Sequence, residues 1–282
     1  MAPTPLISVE ALSRVAGTPG TVVLDASYYL ATAGRDARAE YLAGHIPGAV
    51  HFDVDALSDA TNPLPHMLLP PDRFAEAIGR LGVGDDDRVV VYDTSGTNFS
   101  AARAWWMFRI YGHDNVAVLD GGLAAWTRAG HPVEAGEVTR APAHFTPRYR
   151  PELVKSLAEV RAALGSGDAQ VVDARSAGRF AGTEPEPRPG LRGGHMPGAR
   201  NVPYASFTGA DGLLLDRAGL EARLRDAGVD LDRPVIASCG SGVTACTILL
   251  ALDVLGHQAH SLYDGSWTEW AARDDTPVET AI

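Results

Sequence analysis

The 282-residue chain has only two cysteines, Cys239 and Cys246, and that scarcity removes several chemistries at once. There is no C-x-x-C pair and no cysteine–histidine cluster at zinc spacing, so neither a disulfide framework nor a structural zinc site is available. No metal and no organic cofactor is implied, and a reducing compartment is the expected setting. Basic charge is also short: 24 Lys and Arg stand against 35 Asp and Glu, a formal net charge of −11. That balance repels phosphate backbones, so no nucleic-acid partner is expected. Long apolar runs are missing too. None approaches the ~18 residues that cross a bilayer, and the start MAPTPLISVEALSRVAG has no basic segment followed by a sustained apolar stretch. The expectation is a cytoplasmic protein with no membrane partner. What remains is ordinary: 45% hydrophobic and 21% charged residues, a composition that excludes intrinsic disorder.

The sequence repeats itself. TVVLDASYYL at 21–30 returns as AQVVDARSAG at 169–178, which sets Asp25 opposite Asp173. AGHIPGAVHFDV at 43–54 answers GGHMPGARNVPY at 193–204, pairing His45 with His195. VLDGGLAAW at 118–126 answers LYDGSWTEW at 262–270, and HPVE at 131–134 answers TPVE at 276–279. Four blocks in one order at nearly constant offset indicate two copies of one domain. Each copy alternates β-branched runs such as VVLD, GAVHFDV, RVVVYD and NVAVLDGG with helical patterns such as PDRFAEAIGRLG and SAARAWWMFRIYG. Alternation of that kind predicts an α/β fold, each copy a mostly parallel sheet flanked by helices. Proline and polar residues dominate between the copies. The expected division is a first domain over 1–136, a linker over 137–153 and a second domain over 154–282.

In the second copy the apolar run RPVIAS ends at Cys239, GSGVT follows, and ACTILLALDVLG reads as a helix. This puts a thiol between the carboxyl end of a strand and the amino end of a helix, the crevice position of open α/β sheets. Backbone N–H groups from Gly240 through Ser241, Gly242 and Val243 to Thr244 can curl around the sulfur, and the helix dipole adds positive potential. Both favour thiolate over thiol. Cys246 is expected deeper in the apolar helix, as a packing residue. RVVVYDTSGTNFSA at 88–101 aligns with the same region and places Asp93 opposite Cys239. The first copy therefore has no nucleophile and is expected to be catalytically silent, with a loop two residues longer.

The tandem repeat, the H-x-P-G-A turns, the D-G-S-W block and above all C-G-S-G-V-T-A at 239–245 resemble the rhodanese-type sulfurtransferases, and among them the 3-mercaptopyruvate branch. The resemblance covers nearly the whole chain. It implies that Cys239 takes sulfur from a small-molecule donor as a persulfide and passes it to a thiol acceptor, such as thioredoxin or a small thiol, or to cyanide. Thiosulfate-specific members carry cationic side chains in the loop, where Gly240 and Ser241 stand here; a neutral loop favours 3-mercaptopyruvate, whose charge lies away from its sulfur. By the same resemblance Arg179 and Arg188, within SAGRFAGTEPEPRPGLRGG at 176–194, grip the donor's carboxylate and keto oxygen, for which a planar fork is suited. The bland alternative pairs each arginine with Glu184 or Glu186 at the surface. Ser241 is placed at the donor, and a serine–histidine–aspartate relay of the branch maps onto Ser241, His45 and Asp36. A histidine present in both copies also suits a cap on the H-x-P-G turn.

Other classes fare worse. Cysteine phosphatases and arsenate reductases need an arginine six positions after the cysteine, and residue 245 is alanine. A non-catalytic binding module fits only the copy without the cysteine. Thiosulfate:cyanide transfer is the remaining alternative. The five tryptophans, Trp105, Trp106, Trp126, Trp267 and Trp270, are read mainly as packing residues.

Overall fold

The structure, a computed structural model, describes residues 4–280; the outermost residues of the two expected domains, 1–3 and 281–282, lie outside the described residues. The chain divides into two compact units. The first holds residues up to Asp59, Leu68–Arg150 and Thr208–Leu214; the second holds Ala60–Met67, Pro151–Phe207 and the residues from Leu215 onward.

In the first unit the elements run β1 (Leu6–Ile7), α1 (Val9–Val15), β2 (Thr21–Asp25), α2 (Ala37–Ala43), β3 (Val50–His51), α3 (Pro71–Arg80), β4 (Arg88–Tyr92), α4 (Phe99–Ile110), β5 (Val116–Leu119) and α5 (Gly122–Arg128). The second repeats the series as β6 (Val154–Lys155), α6 (Leu157–Ser166), β7 (Gln170–Asp173), α7 (Ala177–Ala181), β8 (Arg200–Asn201), α8 (Arg217–Asp226), β9 (Val235–Ser238), α9 (Cys246–Val254), β10 (His260–Tyr263) and α10 (Ser266–Ala271). Each unit has one five-stranded sheet, in the orders β1-β5-β4-β2-β3 and β6-β10-β9-β7-β8, and every pairing is parallel. Parallel neighbours require crossovers, and each crossover between successive strands of a sheet carries one α-helix. The α/β architecture is the one the alternating pattern predicts.

Local chemistry explains the elements. TVVLD of β2 is buried at every position, the signature of a strand covered on both faces. Ser156 and Glu159 form a reciprocal capping box at α6, which satisfies two N–H groups the helix cannot. Pro71 opens α3, and Phe74 and Ile78 fall one turn apart on its buried side. The GAVHFDV run yields only the two-residue β3, because the Asp53 carboxylate accepts the N–H groups of Asp55 and Ala56 and turns the chain. All five tryptophans are buried; Trp126 packs in the first core, Trp267 and Trp270 in the second.

Sheet register fixes the equivalence of the copies. Tyr92 pairs with Asp25 and Ser238 with Asp173, so Asp93 and Cys239 leave their sheets at matching points. The two extra residues of the first copy do not lengthen its loop, contrary to the expectation. Six residues separate β4 from α4 and seven separate β9 from α9, while α4 has 12 residues against 9 in α9.

The expected linker is a strap along the first unit as far as Arg150. Ala143 N–H donates to Gly79 O (2.9 Å) and Arg148 N–H to Tyr111 O (2.7 Å). Thr146 N–H meets Asp85 Oδ1 (2.6 Å), and Arg150 clamps Asp114 through both nitrogens (2.7 and 2.6 Å). Such close approach needs glycine beneath it: a Cβ on Gly79 would lie 2.6 Å from Ala143 O, and one on Gly112, at φ +85°, 2.5 Å from Arg148 Cβ.

Candidate active site

Cys239 is the first residue beyond β9, the central strand of the second sheet. Its carbonyl accepts Trp267 N–H (2.9 Å), and the Gly240 carbonyl accepts both Thr268 N–H (2.9 Å) and Thr268 Oγ1 (2.6 Å). The first turn of α10 thus holds the loop by its oxygens. Among the described residues the backbone N–H groups of Gly240, Ser241, Val243, Thr244 and Ala245 donate to no protein acceptor. A segment pinned by its carbonyls with its donors unspent, leading into a helix amino terminus, is an anion cradle. Cys239 is buried at its start, and Gly242 adopts the left-handed φ of +79° that the curl requires.

The first copy shows what such a cradle holds. Asp93 occupies the cysteine's place, and its Oδ2 accepts the N–H groups of Ser100 and Ala101 and the Ser100 hydroxyl, each at 3.0 Å; Oδ1 accepts Ser95 N–H (3.0 Å) and Oγ (2.8 Å). The carboxylate fills its own cradle. No thiol is available there, since the two cysteines are both in the second copy.

Ser266 was not singled out from the sequence. Its Oγ accepts Cys239 N–H (3.2 Å) and donates to Tyr263 O (2.8 Å), and it stands at φ +50°, where the first copy has Gly122 at φ +55°. A non-glycine residue in that region carries a backbone cost that its surroundings must hold. The D-G-G to D-G-S difference between the repeats was the available signal.

The sequence-assigned residues divide. Arg179, on α7, reaches the loop: a Cβ on Gly240 would lie 3.0 Å from its Nη2. It also pairs with Glu186 (Nη2 to Oε2 2.5 Å), whose side chain is only 2% exposed, so this is no surface pair. Glu184 instead accepts the Ser176 hydroxyl (2.7 Å). Arg188 is half-buried and, among the described residues, makes no hydrogen bond or ion pair. Arg192 is spent on carbonyls at the end of α10, including Ala271 O (3.1 Å) and Thr276 O (3.0 Å). Cys246 is the first residue of α9 rather than a turn inside it, and its thiol donates to Gly242 O (3.4 Å).

The relay assignment is corrected. Ser241 faces His66, whose Nδ1 lies 2.8 Å from the hydroxyl; both are buried, and His66 is in the left-handed region at φ +60°. His45 belongs to the first unit, stacks on Tyr41 and points Nδ1 at Tyr41 O (2.8 Å). His195 repeats that arrangement against Phe180 O (2.8 Å), so both histidines brace their H-x-P-G turns. Asp36 is the N-cap of α2, accepting Ala39 N–H at 3.0 Å. His66 was missed because its segment has no counterpart among the aligned repeat blocks. Among the described residues no three His, Cys, Asp or Glu side chains are grouped to hold a metal ion.

The Rhodanese-like domain family model matches residues 8–129 and again 156–273. The 3-mercaptopyruvate sulfurtransferase of Escherichia coli K12 is 46% identical over 99% of both chains. Thiosulfate/3-mercaptopyruvate sulfurtransferase 1, mitochondrial, from Arabidopsis thaliana is 41% identical over 98% of this chain and 78% of its own. The crystal structure of SseA, a 3-mercaptopyruvate sulfotransferase from Escherichia coli, superposes with a TM-score of 0.86 at 43% identity, covering 94% of this chain and 99% of that one. With the fold, the doubled cradle and the placement of Cys239 agreeing, the chain belongs to the rhodanese family as two tandem copies, in its 3-mercaptopyruvate sulfurtransferase branch.

Proposed function

We propose that the protein is a 3-mercaptopyruvate sulfurtransferase in which Cys239 carries the sulfur. The observation that supports it most is the run of N–H groups, unpartnered among the described residues, that follows a buried thiol at the end of the central strand. The Cys239 thiolate attacks the donor sulfur; a sulfur–sulfur bond forms and the carbon–sulfur bond breaks, its electron pair passing to carbon as the enolate of pyruvate. Protonation at that carbon releases pyruvate. An acceptor thiolate then attacks the outer sulfur, leaving as a persulfide and restoring the Cys239 thiolate; cyanide leaves as thiocyanate. No external oxidant is needed, because the donor carbon is reduced as its sulfur is oxidised. The cradle stabilises the anionic outer sulfur, as donors fixed in advance do for developing charge.

Ser241, backed by His66, is the proton-handling pair beside the leaving enolate. Arg179 and Arg188 bind the donor carboxylate and keto oxygen; Arg188 is unpaired among the described residues and Arg179 reaches the loop at Gly240. A side chain at 240 would push the Arg179 guanidinium aside. Glycine there suits a donor whose anion is held by arginine rather than by the loop. The acceptor is a small thiol, a thioredoxin-like dithiol or cyanide, and the setting is a reducing, cytoplasmic one, in keeping with two cysteines that form no disulfide.

Steady-state transfer from 3-mercaptopyruvate and from thiosulfate to cyanide tests the reading. A kcat/KM in favour of mercaptopyruvate, abolished in Cys239→Ala, is the expected result. A preference for thiosulfate would remove the argument from the neutral loop and leave thiosulfate:cyanide transfer as the function.

A further inference from the structure

Arg179 is a long side chain that must be still to be useful, and one acid holds it. Glu186 Oε2 accepts Arg179 Nη2 at 2.5 Å and Oε1 accepts Arg179 Nε at 3.3 Å, while Oε1 also takes Arg175 Nη1 at 2.7 Å. Arg175 is itself immovable. Its side chain is 0% exposed, its Nε and Nη2 meet Asp173 Oδ2 at 2.9 and 2.7 Å, and Nη2 also reaches Gly194 O at 2.8 Å. Its guanidinium lies 4.2 Å over the Trp267 ring, and Trp267 is the residue whose N–H holds the Cys239 carbonyl. Burial opposes the charge of Arg175, yet Asp173 and Glu186 raise its pKa above the usual arginine value. Contacts therefore run unbroken from the sheet through Arg175 to Glu186 and on to Arg179. At Arg179 they end with the Nε and Nη2 edge spent and, among the described residues, no protein acceptor for Nη1.

We propose that Glu186 is the positioning residue for Arg179, fixing its guanidinium beside Gly240 so that the Nη1 edge is presented to the donor's carboxylate. The inference rests on Arg179 being a substrate clamp. It runs against simple charge counting: removing an acid beside an anion site would by itself tighten anion binding. Loss of position does the reverse, because the donor must then order a mobile arginine as it binds.

Steady-state kinetics with 3-mercaptopyruvate and cyanide on the full chain, for Glu186→Gln, Arg179→Gln and the double variant, separate these. The expected result for Glu186→Gln is a KM raised about tenfold, the loss that follows from one unfrozen side chain, with kcat within about twofold. In the Arg179→Gln background Glu186→Gln should add nothing, as for residues acting through one another. A KM unchanged or lowered in Glu186→Gln, while Arg179→Gln raises it, would overturn the positioning role and leave the clamp intact. So would an equal effect of Glu186→Gln with and without Arg179. If Arg179→Gln leaves KM unchanged, the clamp reading fails and the inference with it. Should Glu186→Gln not fold, Glu186→Asp carries the test: its shorter arm cannot reach both arginines, and a wild-type KM in that variant would contradict the proposal.

Discussion

Ser266 shows how one residue links backbone strain to the Cys239 loop. Its hydroxyl joins Cys239 N–H to Tyr263 O while its φ of +50° is one that glycine tolerates better. Ser266→Ala keeps the strain and loses both hydrogen bonds; Ser266→Gly loses the bonds and relieves the strain. The alanine variant should therefore be the less stable of the two by about 1 kcal/mol, read from chemical denaturation, with kcat lowered alike in both. An alanine variant as stable as the glycine one would show that the turn is not strained. Cys239 was legible from its neighbours alone, because strand, cysteine, glycine and helix are adjacent in the chain. His66 was not. It meets Ser241 from 175 positions away, and only the fold brings such residues together. His45 drew attention through its conspicuous H-x-P-G setting, where its ring is turned to Tyr41 O rather than to Ser241.

At the scale of elements, strand and helix order followed from periodicity, but two features did not. Residues 137–150 look like a linker by composition and are in fact a strap, because backbone bonds to Gly79 and Tyr111 and carboxylates at 85 and 114 replace the sheet or helix partners such a segment lacks. The shorter-than-expected β3 has a similar cause in the Asp53 turn. The strap's anchors are sensitive to acid. Hydrogen bonds from the Thr146 side chain and backbone hold Asp85 below the usual carboxylate pKa, and the hydrogen bond from Arg150 does the same for Asp114 against the effect of burial. A lowered folded pKa means that their contribution is complete above the unfolded value of about 3.9 and is lost as pH falls through the folded values. Amide exchange at Thr146, Arg148 and Arg150, corrected for intrinsic rates, should accelerate below about pH 4 before the β4 amides respond. Loss of protection in both together would mean that the strap is not a separate unit.

For the whole molecule, duplication gives the same strand-to-helix cradle twice, with different contents. The two copies keep the same sheet order and the same turn histidines, yet one cradle begins with a thiol and the other is filled by Asp93. The aligned repeats already set Asp93 opposite Cys239 in the sequence. They did not show that residues 60–67 belong with the second unit and 208–214 with the first, since neither stretch lies in a repeated block. Asp93 should be structural. Asp93→Ala leaves five donor contacts unmet and is expected to lower stability by about 2–4 kcal/mol, measured by denaturation, with kcat unchanged at a temperature where the variant is folded. A lowered kcat in the folded variant would assign the first copy a part in catalysis. The central claim, that sulfur passes through Cys239, is tested most directly by mass spectrometry of the protein treated with one equivalent of 3-mercaptopyruvate and no acceptor. One added sulfur atom on the peptide containing Cys239, with one equivalent of pyruvate released and neither seen in Cys239→Ala, is the expected result. Pyruvate formation with no sulfur on Cys239, or sulfur found on Cys246 instead, would contradict it.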